Sequence, residues 1–287
     1  MVHGESRCRD SVNMSYVIPG NVLWCFFQGI EQRKIFGTPL DCMEKFRILE
    51  NANILSHGLE IFLIPDKLKN FDEFEPWFYS KYSKLKYKTV HIGDRNERFL
   101  IDSDTIYNKL EILSKILERL EVNTIILHAN HLLHEQKTTK ELLNSVLPRT
   151  TICVENTGFE SELGSGIEDL VQIFKEYPEY KLCLDVCHIN DYVNYSLEEF
   201  VSVEMLRSRI VQIHFSYSSR LDKENLYAKM GFKGHEPYHA LWSVIGKFPS
   251  RKSMDFFRKY PIVIEGVVPM QDKSLRYLRR EVELINS

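Results

Sequence analysis

Three short runs decide how this chain folds: TIILH at 124–128, TICVE at 151–155 and KLCLDVCH at 181–188. In each, Ile, Leu, Val and Cys follow one another without polar alternation, and the run ends in a histidine or a carboxylate. Continuous apolar strands are what a parallel sheet buried on both faces requires. The segments between them are long enough for a helix, and parallel strands need such a crossover.

Working outward, the same unit recurs. Apolar runs span Val22–Phe27, Leu59–Ile64, Thr89–Ile92, Thr124–His128, Thr151–Glu155, Lys181–Val186, Ile210–Phe215 and Pro261–Val267. Helical patterns fill the gaps at Leu40–Ile54, Asp102–Leu120, Gly166–Tyr177, Ser196–Leu206, Tyr238–Phe248 and Lys273–Ile285. In Asp102–Leu120, for example, Ile106, Leu110, Leu113, Ile116, Leu117 and Leu120 share one face, with Glu and Lys opposite. Ser196 precedes Glu199 by three residues, a capping-box signature. Eight strands, each followed by a helix, predict a (β/α)8 barrel. The rival, an open doubly wound sheet, wants a Gly-rich first turn that is absent. The 287 residues contain no low-complexity linker, so a single domain over 1–287 is expected, with 1–18 as a poorly ordered N-terminal extension.

Composition narrows the function. The formal charge is -3, so no global basic excess recruits nucleic acid. No run of about 18 apolar residues suggests a membrane span, and the polar start, Met1 to Arg9, carries no secretory signal core. The six cysteines form no CxxC pair and read as free thiols of a reducing compartment, so a cytoplasmic location is expected. The aromatics Trp77, Phe78, Tyr79, Tyr82 and Tyr87 read as core and helix-cover residues.

The chemistry collects where the runs end. The third gives His91, the fourth His128, the fifth Glu155, the sixth Asp185 with His188 three residues on, the seventh His214 and the eighth Glu265. In a barrel the C-terminal strand ends converge on one mouth. A lone strand-end His or Glu is ordinarily a satisfied hydrogen-bonding or capping residue. Six strands ending this way predict a shared divalent-metal site, because clustered buried carboxylates repel unless a cation or protons neutralise them. Mixed imidazole and carboxylate donors suit zinc, manganese or iron.

The strings Val154-Glu155-Asn156-Thr157-Gly158, Asp185-Val186-Cys187-His188, Ile213-His214 and Ile264-Glu265 resemble the xylose-isomerase-like TIM-barrel superfamily, which holds sugar isomerases, epimerases and endonuclease IV. The resemblance implies a core metal set of Glu155, Asp185, His214 and Glu265, with His188 as a further ligand or substrate contact. It also implies that His91 and His128 hold an additional zinc in a nuclease. An Asp-x-His pair that the nuclease carries is missing; His235 is the nearest substitute. Arg220 stands where ketose epimerases carry a substrate-binding Arg, and Asn156 is a further substrate contact.

Two reactions follow. An isomerase or epimerase of a sugar, sugar phosphate or polyol would use the metal to stabilise an enediolate, with Glu155, Glu265 and His188 as catalytic groups. The alternative is a zinc phosphodiesterase acting on abasic-site DNA, the one reading in which nucleic acid is a partner; there Arg95, Arg98, Arg220, Lys223, Lys229 and Lys233 would border the DNA, although interleaved acids favour a solvated loop. A third is a non-catalytic ligand-binding barrel. His235-Glu236-Pro237-Tyr238-His239 matches the HExxH zinc-peptidase pattern, but Pro237 breaks the helix that pattern needs. Gly164-Ser165-Gly166 reads as a turn opening a helix rather than a phosphate loop. His131 and His134 are expected to face solvent.

Overall fold

The computed structural model describes residues 16–23, 35–55, 57–70, 73–93, 103–133, 136–158, 161, 163–192, 195–218, 239–269 and 271–287. Ten strands are described: β1 (Val17–Pro19), β2 (Gly58–Leu63), β3 (Tyr87–Ile92), β4 (Thr124–His128), β5 (Thr151–Glu155), β6 (Lys181–Asp185), β7 (Ile210–Phe215), β8 (Tyr217–Ser218), β9 (His239–Ala240) and β10 (Ile262–Ile264). Eight of them form one sheet in the order β1-β10-β7-β6-β5-β4-β3-β2, while β8 and β9 make a two-stranded antiparallel pair. All pairs in the large sheet are parallel.

The two ends of that sheet, β1 and β2, meet without a strand ladder. The Val17 N–H donates to His57 Nδ1 at 3.3 Å, and the Tyr16 ring stacks on Tyr87 with centroids 5.6 Å apart. The sheet is therefore a nearly closed (β/α)8 barrel, and the open doubly wound alternative is excluded.

Helices cover the outside because each presents an apolar stripe to the strands. In Ser103–Leu120 the residues Ile106, Leu110, Leu113, Ile116, Leu117 and Leu120 are all buried. Ser196 and Glu199 form the capping box at Leu197–Ser202. The aromatics between β2 and β3 are core: Phe78 and Tyr82 are buried and stacked 5.3 Å apart. The Tyr82 hydroxyl donates to the Leu59 and Thr89 carbonyls, at 2.9 and 3.1 Å, tying β2 to β3. Gly93 ends β3 because a Cβ there would lie 2.0 Å from the Phe62 ring, which packs against His91.

Three expectations are corrected. The first strand is Val17–Pro19, not Val22–Phe27; Pro19 and Gly20 end it, and Val22 and Leu23 are buried in the turn that follows. Val17 and Ile18 thus belong to the barrel rather than to an N-terminal extension, and residues 1–15 lie outside the described residues. The helix expected over Tyr238–Phe248 is instead β9 followed by the short helix Trp242–Ile245. An extended His239 beside Pro237 removes the helical pair that a zinc peptidase needs. The single helix expected over Ser196–Leu206 is split at Val203 into Leu197–Ser202 and Glu204–Arg207. Among the described residues, no helix is long and apolar enough to cross a membrane.

Candidate metal centre

Strand alternation puts every second residue inside the barrel. On β3 to β7 the strand-end residues are His91, His128, Glu155, Asp185 and His214, and register holds them level: His128 pairs with Glu155, and Asp185 with His214. Glu265 follows β10 directly. Together they form one buried cluster at the C-terminal mouth.

Glu155 is its hub. Its Oε1 lies 3.1 Å from His214 Nδ1 and 3.4 Å from His188 Nδ1. Its Oε2 lies 3.3 Å from His91 Nε2 and 3.4 Å from His128 Nε2. Glu265 closes the opposite wall, with Oε1 3.5 Å from His91 Nδ1 and Oε2 3.3 Å from His214 Nδ1. Among the described residues four groupings gather donor atoms within 4.8 Å of one another: Glu155, Asp185, His214 and Glu265; Glu60, His91, His214 and Glu265; His91, His128 and Glu155; and Asp185, Cys187 and His239.

Asp185 and His188 are placed by a frame. Asp185 Oδ1 accepts the His188 N–H at 2.9 Å, capping the turn that follows β6. Asn156, expected at the substrate, has its side chain engaged here: Oδ1 accepts the Asp185 N–H at 2.8 Å and Nδ2 donates to the Asp185 carbonyl at 3.0 Å. The His188 Nδ1 hydrogen goes to the Asn156 carbonyl at 2.7 Å. That leaves His188 Nε2 facing His239 Nε2 at 3.2 Å. Two imidazole nitrogens this close share a proton or a cation.

The sequence reading missed His239 and Glu60. His239 sits on β9, with Nδ1 2.9 Å from the Ser216 hydroxyl and 3.7 Å from Glu265 Oε2. Its signal was the HExxH string, whose second histidine lies at the mouth on a strand. Glu60 is mid-strand on β2, buried, with Oε1 3.1 Å from His214 Nε2. Its signal was an acid inside an apolar run. His235 and Arg220 lie outside the described residues, as do His134, Arg95, Arg98, Lys223, Lys229 and Lys233. His131, expected in solvent, is buried, its ring stacked 6.3 Å from His128. Gly166 caps the helix Ile167–Glu176 and Gly164 has a φ of 82°, the turn expected there.

The electrostatics fit a cation. Burial works to raise the Glu155 carboxyl, but His214, His91 and His128 hold it well below the usual range. Glu265 is likewise held low, against burial, by His214 and His91. Burial pushes Asp185 well above the carboxylate range, the charges of Glu155 and Glu265 adding to it against His188. Burial would lower His91 and His214, yet the surrounding carboxylates raise both. Glu155 Oε2, Asp185 Oδ2 and both His91 ring nitrogens are buried and have no hydrogen-bond partner. Orphaned buried donors and acceptors of this kind carry a desolvation penalty. A divalent cation among them removes it, and the nitrogen and oxygen donor set is the one zinc and manganese take.

No family model matches the chain, and no curated protein does. Solved structures match over nearly its whole length. The probable 3-DHS dehydratase AsbF of Bacillus anthracis, involved in petrobactin synthesis, superposes with a TM-score of 0.58 at 14% identity, over 96% of this chain and 99% of its own. The structure described as AsfvAP:AG gives a TM-score of 0.56 at 14% identity, over 95% and 98%. A xylose isomerase domain protein from Planctomyces limnophilus gives 0.55 at 11% identity, over 95% of each chain. The fold is the (β/α)8 barrel that these structures share. In this barrel the candidate metal ligands stand at the C-terminal mouth, where such folds build their active sites. At this level of identity the likeness concerns the fold, so the reaction has to be argued from the site.

Proposed function

We propose that this barrel is a divalent-metal-dependent enzyme that isomerises or epimerises a sugar, sugar phosphate or related polyol. The observation that carries the reading is the grouping of Glu155, Asp185, His214 and Glu265 around one point, with two carboxylates on opposed walls. A divalent cation held by these four supplies Lewis acidity toward a carbonyl and a neighbouring hydroxyl. The chain's own residues do the rest. Glu155 on β5 and Glu265 after β10 stand apart across β6 and β7, so one carboxylate takes a proton from one face of a carbon and the other returns it. His214, between them, orients both. His188 Nε2 and His239 Nε2 face the same space and hold or donate a proton to a substrate hydroxyl. The burial of the cluster excludes water from the transfer.

A second reading is favoured by a separate observation. His91 and His128 share Glu155, and His239 joins Asp185, so donors exist for more than one cation. Cations held at these groupings would activate water and stabilise the leaving oxygen of a phosphodiester. On this reading the substrate is DNA at an abasic site. We further propose that residues 1–287 are one domain and that it works in a reducing, cytoplasmic compartment; among the described cysteines, Cys42, Cys153, Cys183 and Cys187 are all buried.

Metal analysis of the purified protein, paired with two assays, tests the choice. One manganese or cobalt equivalent per chain, with isomerisation of a sugar in an NMR-monitored panel and no cleavage of an abasic-site duplex, supports the first reading. Three zinc equivalents with duplex cleavage overturn it in favour of the second. No metal after reconstitution with zinc, manganese and cobalt overturns both and leaves a binding barrel.

A further inference from the structure

One layer beneath the strand-end residues, the barrel interior changes character. On one side Ile126, Cys153 and Cys183 pack together as a small apolar cluster. On the other, Glu60, Thr89 and Gln212 form a closed polar network. The Thr89 hydroxyl donates to Glu60 Oε2 at 2.6 Å, and Gln212 Nε2 donates to the same oxygen at 2.8 Å. Gln212 in turn accepts the Tyr87 hydroxyl at 2.8 Å. These bonds occupy Oε2 and leave Oε1 buried and without a hydrogen-bond partner, 3.1 Å from His214 Nε2.

We propose that Glu60 is a positioning residue for the metal centre: its Oε1 accepts the Nε2 hydrogen of His214, which leaves Nδ1 as the nitrogen that takes the cation. The inference rests on the metal-dependent reading above and deepens it. The geometry sets Nδ1 toward the carboxylates of the mouth and Nε2 toward Glu60. Nδ1 faces Glu155 Oε1 at 3.1 Å and Glu265 Oε2 at 3.3 Å, two of the three carboxylates of the grouping with Asp185. Nε2 faces down, toward Glu60. Gln212 Nε2 lies 2.9 Å from His214 Nε2 and also donates to Glu60 Oε2, with Cys183 Sγ at 3.6 Å. Once a cation holds Nδ1, the ring hydrogen is on Nε2, and the unpartnered Glu60 Oε1 is the carboxylate oxygen it meets. A carboxylate behind a metal-bound imidazole fixes the tautomer, locks the ring plane and raises the ligand's basicity. Glu60 is itself locked by two donors, so it transmits position rather than slack. The strand pairing of Glu60 with Thr89 builds the support into the β2–β3 register.

The test has two independent readouts. In zinc-loaded wild-type protein with 15N-labelled histidine, the expected long-range 15N–1H correlations of His214 show hydrogen on Nε2 and none on Nδ1; hydrogen on Nδ1 overturns the proposal. In Glu60→Gln, which keeps the volume, competition with a chromophoric chelator is expected to give zinc bound about 10–100-fold more weakly, with the same number of equivalents. Binding within twofold of wild type overturns the proposal and leaves the metal-dependent reading standing. Loss of a full equivalent makes Glu60 a ligand and overturns it as well. Wild-type protein that binds no zinc overturns the reading of the mouth itself, and this inference with it. If Glu60→Gln does not fold, the tautomer measurement on wild type still decides.

Discussion

Glu281 should make the barrel less stable as the pH rises, and the effect can be isolated by one substitution. The residue lies on the last helix, Arg276–Asn286, and is 1% exposed. Its two oxygens accept the Trp242 and Ser243 N–H groups at 3.0 and 2.7 Å, pinning the start of the Trp242–Ile245 helix directly after β9 and His239. Burial pushes its carboxyl up from the ordinary 4.5 to about 7, although the Ser243 and Trp242 donors pull the other way. The sign follows from the protons. Between pH 4.5 and 7 the unfolded chain has released this proton and the folded one keeps it, so stability falls as pH rises through that window and is level above it. At about 1.4 kcal/mol per pH unit the whole window amounts to about 3 kcal/mol, of which about 2.5 falls between pH 5 and pH 8. Glu281→Gln keeps a carbonyl acceptor and loses the ionisation. Its hydrogen-bond deficit, about 1 kcal/mol, is independent of pH. Urea unfolding of both proteins at pH 5 and pH 8 should therefore show the variant gaining about 2.5 kcal/mol on wild type. The groups of the metal mouth titrate equally in both proteins and cancel in the difference. Parallel stabilities across the two pH values would refute the argument.

Three further outcomes are expected. Glu155→Ala removes the carboxylate that contacts His91, His128, His188 and His214, and should lower both bound metal and melting temperature; unchanged values in elemental analysis and calorimetry would sink the site as drawn. Because the neighbouring carboxylates raise His91 and His214 above 6.5, metal binding should expel protons and weaken as pH falls through those raised values. Titration calorimetry in two buffers of different ionisation heat reads that release, and equal heats would contradict it. Tyr82→Phe leaves the Leu59 and Thr89 carbonyls without their hydroxyl donor and should cost about 1–2 kcal/mol of unfolding free energy; a loss below about 0.3 kcal/mol would show that the bridge between β2 and β3 is immaterial.

The barrel was readable because parallel strands buried on both faces advertise themselves as unbroken Ile, Leu and Val. That signal failed in two places for physical reasons. Val22–Phe27 is as apolar as a strand, but the preceding Val17–Pro19 already occupies the slot beside β10, where register pairs Val17 with Ile262. Tyr238–Phe248 has a helical pattern of apolar residues, yet the chain first has to pair with β8, and Ser218 takes His239 as its partner. The metal residues on β3 to β7 were readable for a different reason. A strand that ends in His, Glu or Asp at its C-terminal end can point that side chain only into the mouth or over its rim, and five consecutive strands did so. His239 reached the same place from a two-stranded pair outside the barrel sheet, which strand counting does not see.

Glu60 shows what lies one step beyond that rule. A barrel interior is stacked in layers, each taking alternate residues from its strands. The residues two places before the mouth ligands are Thr89, Ile126, Cys153, Cys183 and Gln212, and on β2 the corresponding layer holds Glu60. Read as a layer instead of as separate strands, this set is polar on the β2, β3 and β7 sides and apolar on the β4, β5 and β6 sides. The polar arc lies directly under His214 and the apolar arc under Glu155 and Asp185. The division has an electrostatic logic. An imidazole has a second nitrogen that needs an acceptor behind it, and Glu60 provides one. A carboxylate has both oxygens at its front, so an apolar floor leaves it no competing partner and turns both oxygens toward the mouth. The match holds for His214, above Gln212 and Glu60, and for Glu155 and Asp185, above Cys153 and Cys183; His128 stands above Ile126. Under those three residues the two layers correspond as a site that holds a cation requires, and a chance meeting of strand ends does not require it.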